Sequence, residues 1–273
     1  MSLARQFRRK VFLLFTISVL HVSMIFSQSQ FLVRHYNRDL YMAGNQNWSL
    51  DADHEGYLYA GNNDGLLIFD GNRWKIHPQV NQTIVRSVYH HHDGRIFTGS
   101  YEEFGFWQRK NGKLSYTSLK PMLKGDNFHN GEIWKIVESE GNIYFQGFSF
   151  LFLYNGTVIR EIELPGSVIF LLKARERLFI QAVTGEFYEL AGEKLIRLDP
   201  AGMLKGKEVK TILPYGEHHF LIGTTSDGLF LFDGVDGIMP FHCPADQWLR
   251  KAQINNGLVY NDLFLFGTIV NGL

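Results

Sequence analysis

The chain has 273 residues, of which 45% are hydrophobic and 15% aromatic, so it can form a full-sized core and is unlike a disordered chain. Its formal charge is zero, but the first 30 residues contain four basic and no acidic side chains, which leaves 23 basic and 27 acidic side chains beyond them. A domain that contacts nucleic acid directly usually has a basic patch or stripe. This charge balance argues against such contact.

The first 29 residues have the order of a secretory signal peptide. Four basic residues between positions 5 and 10 precede a 16-residue apolar run, Val11 to Phe26, and small and polar residues follow it. A membrane anchor is the alternative, but the run is shorter than the roughly 20 residues that a bilayer core requires. We therefore predict an exported protein whose signal peptide, residues 1–29, is cleaved after Ser27 or Ser29.

A pattern of two short apolar runs, each followed by a glycine-containing turn, recurs along the rest of the chain. Its clearest copy has Tyr57–Ala60, a turn from Gly61 to Gly65, then Leu66–Phe69 and Asp70–Gly71. Equivalent positions in six copies are Gly61, Gly99, Gly147, Ala182, Gly223 and Gly267. The gaps between them are 38, 48, 35, 41 and 44 residues, with a mean of about 41. That period fits propeller blades of roughly 40 to 50 residues.

We therefore predict an all-β fold, a β-propeller of four-stranded blades over residues 30–273. Five to six blades are present, and because the sixth begins only at Leu263, we expect an incomplete seven-bladed ring truncated at the C-terminus. Alternatively, Phe31–Ala43 supplies a strand that closes the ring. The glycine after the first run of each copy predicts a tight or left-handed turn, which a Cβ would oppose. The Asp-Gly and Asn-Gly pairs predict hairpin turns.

Several shorter features add to this prediction. The tetrapeptide Met-Leu-Lys-Gly at Met122–Gly125 and Met203–Gly206 predicts two equivalent connections between blades, and Asp246–Gln253 predicts a short helix. The 23 phenylalanines are expected to fill the wedges between stacked sheets. Cys243, the only cysteine, excludes an intrachain disulfide and is expected to be a small core residue.

The repeats resemble the two-component-regulator propeller repeats of bacterial extracytoplasmic sensor regions. Their motif, a β-run, Gly-Thr or Gly-Asn, Gly-Leu and an apolar run ending in Asp, is matched at Tyr59–Asp70 and Leu221–Asp233. Other similar segments are Gln46–Ser49, Ile84–Ser87, Gly99–Gly105 and Glu132–Ile136. The resemblance implies a periplasmic sensor whose parent, a transcriptional or other signal-transduction regulator, continues into a three-tyrosine domain, an inner-membrane helix and a cytoplasmic output domain. It implies as partners a small-molecule or glycan ligand, those downstream domains, and a second copy in a homodimer.

The sequence contains no recognisable catalytic motif, so we expect a non-catalytic protein without cofactor or metal. The run His90-His91-His92 invites a metal interpretation, but alternate side chains of a strand face opposite ways, so at most two could converge. Because Asp93-Gly94 follows, we predict a solvated turn there, and the same for His218-His219.

Propellers bind ligands at the loops around their central channel. The polar turn after Gly99, together with a nearby arginine and two tryptophans, is the candidate ligand site; its residues are Trp48, Arg86, Tyr101, Glu102, Glu103 and Trp134. Alternatively, the tryptophans pack between blades and the charges are solvated.

A second functional hypothesis is a secreted polysaccharide lyase or glycosidase, which would need two convergent carboxylates. Glu102 or Glu103 with Asp227 is the pair that the sequence offers.

Overall fold

A computed structural model of the protein describes residues 34–125 and 128–272. The predicted signal peptide lies outside the described residues. Residues 34–37 are irregular, and helix α1 (Arg38–Tyr41) follows them. The described part of Phe31–Ala43 therefore contains a short helix and no strand, so it does not supply the ring-closing strand considered from the sequence.

In the described part of the chain, 22 strands form six antiparallel sheets, and each strand pairs with its neighbour in sequence. The first sheet contains β1 (Asn47–Ala52), β2 (Leu58–Asn62), β3 (Gly65–Phe69) and β4 (Trp74–His77). The second contains β5 (Val85–His90), β6 (Ile96–Ser100), β7 (Phe104–Lys110) and β8 (Lys113–Ser118). The third contains β9 (Lys135–Ser139), β10 (Asn142–Gln146), β11 (Leu151–Tyr154) and β12 (Ile159–Glu161).

The remaining sheets follow the same order. The fourth contains β13 (Val168–Ala174), β14 (Arg177–Ala182), β15 (Phe187–Ala191) and β16 (Lys194–Leu198). The fifth contains β17 (Val209–Tyr215), β18 (His219–Thr224), β19 (Leu229–Phe232) and β20 (Ile238–Phe241). The sixth contains β21 (Ile254–Tyr260) and β22 (Leu263–Thr268).

The six sheets are propeller blades, which confirms the predicted fold. The first strand of each sheet contacts the first strand of the next, in the order β1, β5, β9, β13, β17 and β21, so these strands are the inner ones. The middle strand β3 is buried at every residue, and its Leu66 and Ile68 pack in one apolar cluster with residues of the second sheet, whereas the outer strand β4 is only partly buried. A seventh blade stays a prediction.

The repeat glycines occupy equivalent places, as predicted, but the turn interpretation was wrong for them. Gly61, Gly99 and Gly223 lie within the second strand of their sheets, with no positive φ. A Cβ on Gly61 would lie 2.8 Å from the carbonyl oxygen of Val85, on the inner strand of the next blade. Glycine is therefore required at this position because adjacent blades approach closely. The Asp-Gly and Asn-Gly glycines do take left-handed backbone; Gly71, for example, has φ 87°.

Phenylalanines fill the wedges between blades, as the sequence predicted. Between the second and third sheets, the ring centroid of Phe104 lies 4.8 Å from that of Phe145 and 5.7 Å from that of Phe152. A second aromatic cluster joins the fourth and fifth sheets, where Phe179 packs 5.6 Å from Phe220. Both clusters are buried, so they are the principal cores of the ring.

The connections agree with the sequence predictions. Met122–Gly125 links the second and third sheets, Met203–Gly206 links the fourth and fifth, and helix α2 spans Asp246–Ala252. Cys243 is a free thiol, partly buried against the apolar cluster of the fifth and sixth sheets. No helix in the described residues has the length and apolar character needed to cross a membrane.

Candidate functional site

A β-bulge at the start of the inner strands aims side chains toward the centre of the ring. The pairing of β1 with β2 shifts between Asn47 and Ser49, and comparable shifts occur in β5, β13, β17 and β21. A bulge leaves one residue unpaired and re-aims its side chain. In β1 and β5 the unpaired residues are Trp48 and Arg86.

These residues line a cavity of about 530 Å³, to which each of the six blades contributes. We call it the axial cavity. Its lining comprises Gln46, Asn47, Trp48, Ser49, Leu50, Arg86, Ser87, Val88, Trp134, Lys135, Ile136, Phe170, Leu172, Lys210, Asn255 and Asn256. A second cavity, of about 290 Å³, shares Lys135, Ile136, Leu172 and Asn256 with it, so the two are consecutive sections of one channel.

Three predicted site residues form a stack at one side of the axial cavity. The guanidinium carbon of Arg86 lies 3.8 Å from the ring centroid of Trp48 and 4.6 Å from that of Trp134. The two indole rings meet edge to face, with centroids 5.9 Å apart and an interplanar angle of 86°. A cation–π contact contributes about 0.5–2 kcal/mol, more as it is desolvated. The stack therefore holds Arg86 in a defined position at the cavity wall.

Arg86 also forms an ion pair that leaves part of its guanidinium unused. Its Nε and Nη2 donate to Oε1 of Glu132 at 3.2 and 3.1 Å, and its side chain is 13% exposed. Its Nη1 is buried and has no hydrogen-bond partner. A buried donor without a partner costs about 1–3 kcal/mol. This donor is therefore buried at a cost in free energy, while other atoms of the Arg86 side chain line the cavity.

Tyr101 and Glu102 do not line the cavity but contact the loop that carries Glu132. The hydroxyl of Tyr101 donates to Oδ1 of Asn130 at 2.9 Å, and the backbone N–H of Asn130 donates to Oε1 of Glu102 at 2.7 Å. Tyr101 also pairs with Glu132 as an isolated β-bridge. Neither residue lines the axial cavity, so their place in the structure is that of supports for the Arg86–Glu132 pair.

Glu103, which the sequence grouped with Glu102, lies elsewhere. Its carboxylate is buried within the second sheet and accepts hydrogen bonds from the Tyr116 hydroxyl at 3.0 Å and the Ser118 hydroxyl at 2.7 Å. Burial, together with the adjacent Glu103 carboxylate, raises the pKa of Tyr116. The turn that joins β6 to β7 points Glu103 toward β8 and away from the ring centre, which corrects its assignment to the recognition surface.

Sequence reasoning missed the cationic and polar residues contributed by the later blades. Lys210 lines the axial cavity with its ammonium 2.8 Å from Oε1 of Glu208 and 5.4 Å from the ring centroid of Phe170. The repeat contains a positional signal that would have found Lys210. Four cavity residues each lie thirteen positions ahead of a repeat glycine: Trp48 ahead of Gly61, Arg86 ahead of Gly99, Trp134 ahead of Gly147, and Lys210 ahead of Gly223. Aligning the repeats on their glycines would have placed Lys210 beside the three residues that were predicted.

Lys135 is the cation at the junction of the two cavity sections. Among the described residues, its ammonium forms no ion pair and no side-chain hydrogen bond. Burial lowers the pKa of Lys135, and the negative charge of Asp51 only partly opposes this shift. The channel therefore contains a positive charge that lacks a direct counter-ion.

In the described part of the chain no three metal-ligating side chains come together, and the histidines of the run make separate contacts. His90 stacks on the ring of Tyr59 at 5.1 Å, and the Nδ1 of His91 lies 2.8 Å from Oδ1 of Asp93. Because His91 is buried, the predicted solvated turn holds for His92 and not for the whole run.

No protein-family model matches the chain, and no curated protein matches it in sequence. Among solved structures, it is similar to the computationally designed protein Ika8, at 11% identity and a TM-score of 0.60 over 82% of this chain and 68% of that one. It is also similar to the WD40 β-propeller domain of Doa1, at 11% identity and a TM-score of 0.53 over 71% of this chain and 67% of that one.

Two further similar structures come from bacterial proteins, and the matched region is a minor part of each. PorZ, an essential surface component of the type-IX secretion system of Porphyromonas gingivalis, is 14% identical, with a TM-score of 0.54 over 73% of this chain and 26% of PorZ. The extracellular domain of BT4673 from B. thetaiotaomicron, described both as a one-component and as a hybrid two-component system, is 12% identical. Its TM-score is 0.47 over 83% of this chain and 38% of that domain. At these identities the similarities show the propeller fold alone.

Proposed function

We propose that the chain is the extracytoplasmic sensing propeller of a bacterial signal-transduction regulator, and that it binds a small-molecule or glycan ligand in the axial cavity. The observation that carries this proposal is the convergence of all six blades on one cavity, where bulged inner strands aim side chains inward. Ligand pockets commonly have volumes of about 300–1,000 Å³ and combine apolar walls with a few placed polar groups. The axial cavity has a volume in this range, and its lining combines aromatic and aliphatic side chains with a larger share of charged, amide and hydroxyl groups.

A non-catalytic role is supported by the positions of the acidic side chains. Glycoside cleavage normally uses two carboxyl groups that flank the scissile bond. Glu102, Glu103 and Asp227, the carboxylates offered by the sequence for such a pair, do not line the axial cavity. Glu103 is in addition engaged inside its own sheet.

In this proposal the propeller is periplasmic and its parent regulator is anchored in the inner membrane. A ligand shifts a conformational equilibrium only through its differential affinity for two states. The downstream domains of the parent, in a homodimer, are where the second state would arise. We expect the gene to encode a transmembrane segment and an output module beyond position 273; a gene that encodes neither would contradict the regulator assignment.

Ligand binding can be tested with two tryptophan variants. Purified chain would be screened against soluble glycans and small metabolites by thermal shift and intrinsic fluorescence. We expect a ligand that raises the Tm of wild type and of Trp248→Ala, whose tryptophan is 46% exposed on α2, and that binds Trp134→Ala at least about tenfold more weakly.

Three outcomes of this screen would contradict the proposal. Equal binding to all three proteins would place the site outside the axial cavity. Failure of every compound to stabilise the chain would contradict a sensing role. Recovery of a cleaved glycan would favour the lyase or glycosidase hypothesis.

A further inference from the structure

The charged side chains that line the axial cavity are all basic. Three cationic side chains line it, those of Arg86, Lys135 and Lys210, and among the described lining residues there is no aspartate or glutamate. The carboxylates that pair with two of these cations, Glu132 and Glu208, lie outside the lining. The surface that faces a ligand is therefore positive.

Two nitrogen atoms of this positive surface lack partners. The ammonium of Lys135 has no ion pair among the described residues, and Nη1 of Arg86 is buried without a hydrogen-bond acceptor. Their strands, β9 and β5, are adjacent inner strands of the ring. Burying a charge or a donor without a partner is unfavourable. An anion in the axial cavity would supply a counter-charge to Lys135 and would lie beside the Arg86 side chain on the adjacent strand.

We propose that the axial cavity recognises an organic anion, specifically a hydroxylated carboxylate of the size and chemistry of a uronic acid sugar, with its carboxylate between Arg86 and Lys135. This inference rests on the proposed function and names its ligand class. A guanidinium and an ammonium are the side chains best suited to bind a carboxylate. The side-chain amide of Asn255, exposed at the cavity, is placed to hydrogen-bond ligand hydroxyls.

Binding of matched probes tests the class of ligand. Calorimetry would compare D-glucuronate, D-glucose and D-glucose 6-phosphate with the wild-type chain. We expect D-glucuronate to bind and D-glucose to bind at least about tenfold more weakly, because it lacks the charge that the site must neutralise. Stronger binding of the phosphate ester than of the uronate would overturn the carboxylate assignment.

Variants test the location. Lys135→Gln and Arg86→Gln are each expected to weaken D-glucuronate binding about tenfold or more. The charge-matched control Lys75→Gln, at the exposed residue of the outer strand β4, should bind as wild type does. Equal loss in Lys75→Gln would indicate a general effect of net charge and would overturn the proposal.

A second measurement separates folding from binding. Since Lys135 carries an unpaired charge in a partly buried site, Lys135→Gln should raise the Tm of the ligand-free chain while it weakens binding. A lowered Tm would contradict the claim that Lys135 is held at a cost to stability. If D-glucose and D-glucuronate bound equally well, and both depended on Trp134, the anion inference would fail and the proposed function would stand.

Discussion

Adding one methyl group at Gly99 tests the view that repeat glycines are required by the close approach of blades. In Gly99→Ala the new Cβ would lie 2.5 Å from Cβ of Ile133 and 2.5 Å from Oγ of Ser87. Ile133 is fully buried, and its Cβ is attached directly to the backbone, so it cannot rotate away. Ser87 donates a hydrogen bond to the Ile133 carbonyl at 2.9 Å, which it would lose by turning aside.

The expected loss follows from these contacts. Overpacking a close-packed interior costs about 1–3 kcal/mol, and a lost hydrogen bond adds about 1 kcal/mol. We expect Gly99→Ala to lower the free energy of unfolding by about 3 kcal/mol. For a chain of this size that corresponds to a fall in Tm of about 6–12 °C.

Gly267→Ala is the matched control, because Gly267 occupies the equivalent position in the sixth repeat. A Cβ there would meet nothing within 4 Å, and its φ is not positive. Its stability should remain within about 0.5 kcal/mol of wild type. Urea unfolding followed by tryptophan fluorescence, with Tm by calorimetry, measures both variants. Equal effects at the two glycines would refute the packing argument.

Three further predictions concern other parts of the fold. The buried amide of Gln181 accepts a hydrogen bond from the backbone N–H of Val209, the first residue of β17, at 2.9 Å and donates one to the Lys207 carbonyl at 2.8 Å. Gln181→Leu should therefore lower the free energy of unfolding in urea by about 2 kcal/mol or more, and unchanged stability would contradict this. Burial alone would raise the pKa of Asp93, but hydrogen bonds from His91 and Arg95 lower it to about 2. The Asp93 carboxylate therefore stabilises the fold above its unfolded pKa of 3.8 and loses that effect as the pH falls toward 2, so Asp93→Asn should lack this part of the acid-induced drop in Tm. Leu263 is 54% exposed on β22, and the outer edge of this strand pairs with no other strand in the described residues. An unpaired edge favours pairing between copies of the chain, so Leu263→Lys should reduce the self-association measured by sedimentation. An unchanged sedimentation profile would contradict this prediction.

The blade pattern could be predicted from sequence because short segments of the chain specify each strand and each turn. Alternating apolar runs such as Leu66–Phe69, and turn pairs such as Asp70–Gly71, specify strands and hairpins through interactions between near neighbours. The middle strands were recognised for this reason. The inner strands were not, since their sequences mix polar and apolar residues that face the channel; Val209–Tyr215 is an example.

Some residues of the candidate site could be predicted from the sequence, and others only from the structure. Trp48, Arg86 and Trp134 were selected from their segments, and the structure brings them into one stack. Lys135 and Lys210 were not selected, because neither residue is distinctive among its sequence neighbours. Their shared cavity exists only when blades separated by some 40 residues close around one axis.

The sequence by itself determined the all-β repeat, the spacing of the blades and the aromatic packing between them, because these depend on period, turn chemistry and composition. Only the tertiary structure decided why Gly61 and Gly99 must be glycine, since the obstructing atoms come both from the inner strand of the same blade and from the chain of the next blade. It likewise decided that Glu103 faces the interior of its sheet while Arg86 faces the channel. A bulge and a turn redirect these side chains, and contacts between distant segments determine where the redirected side chains meet.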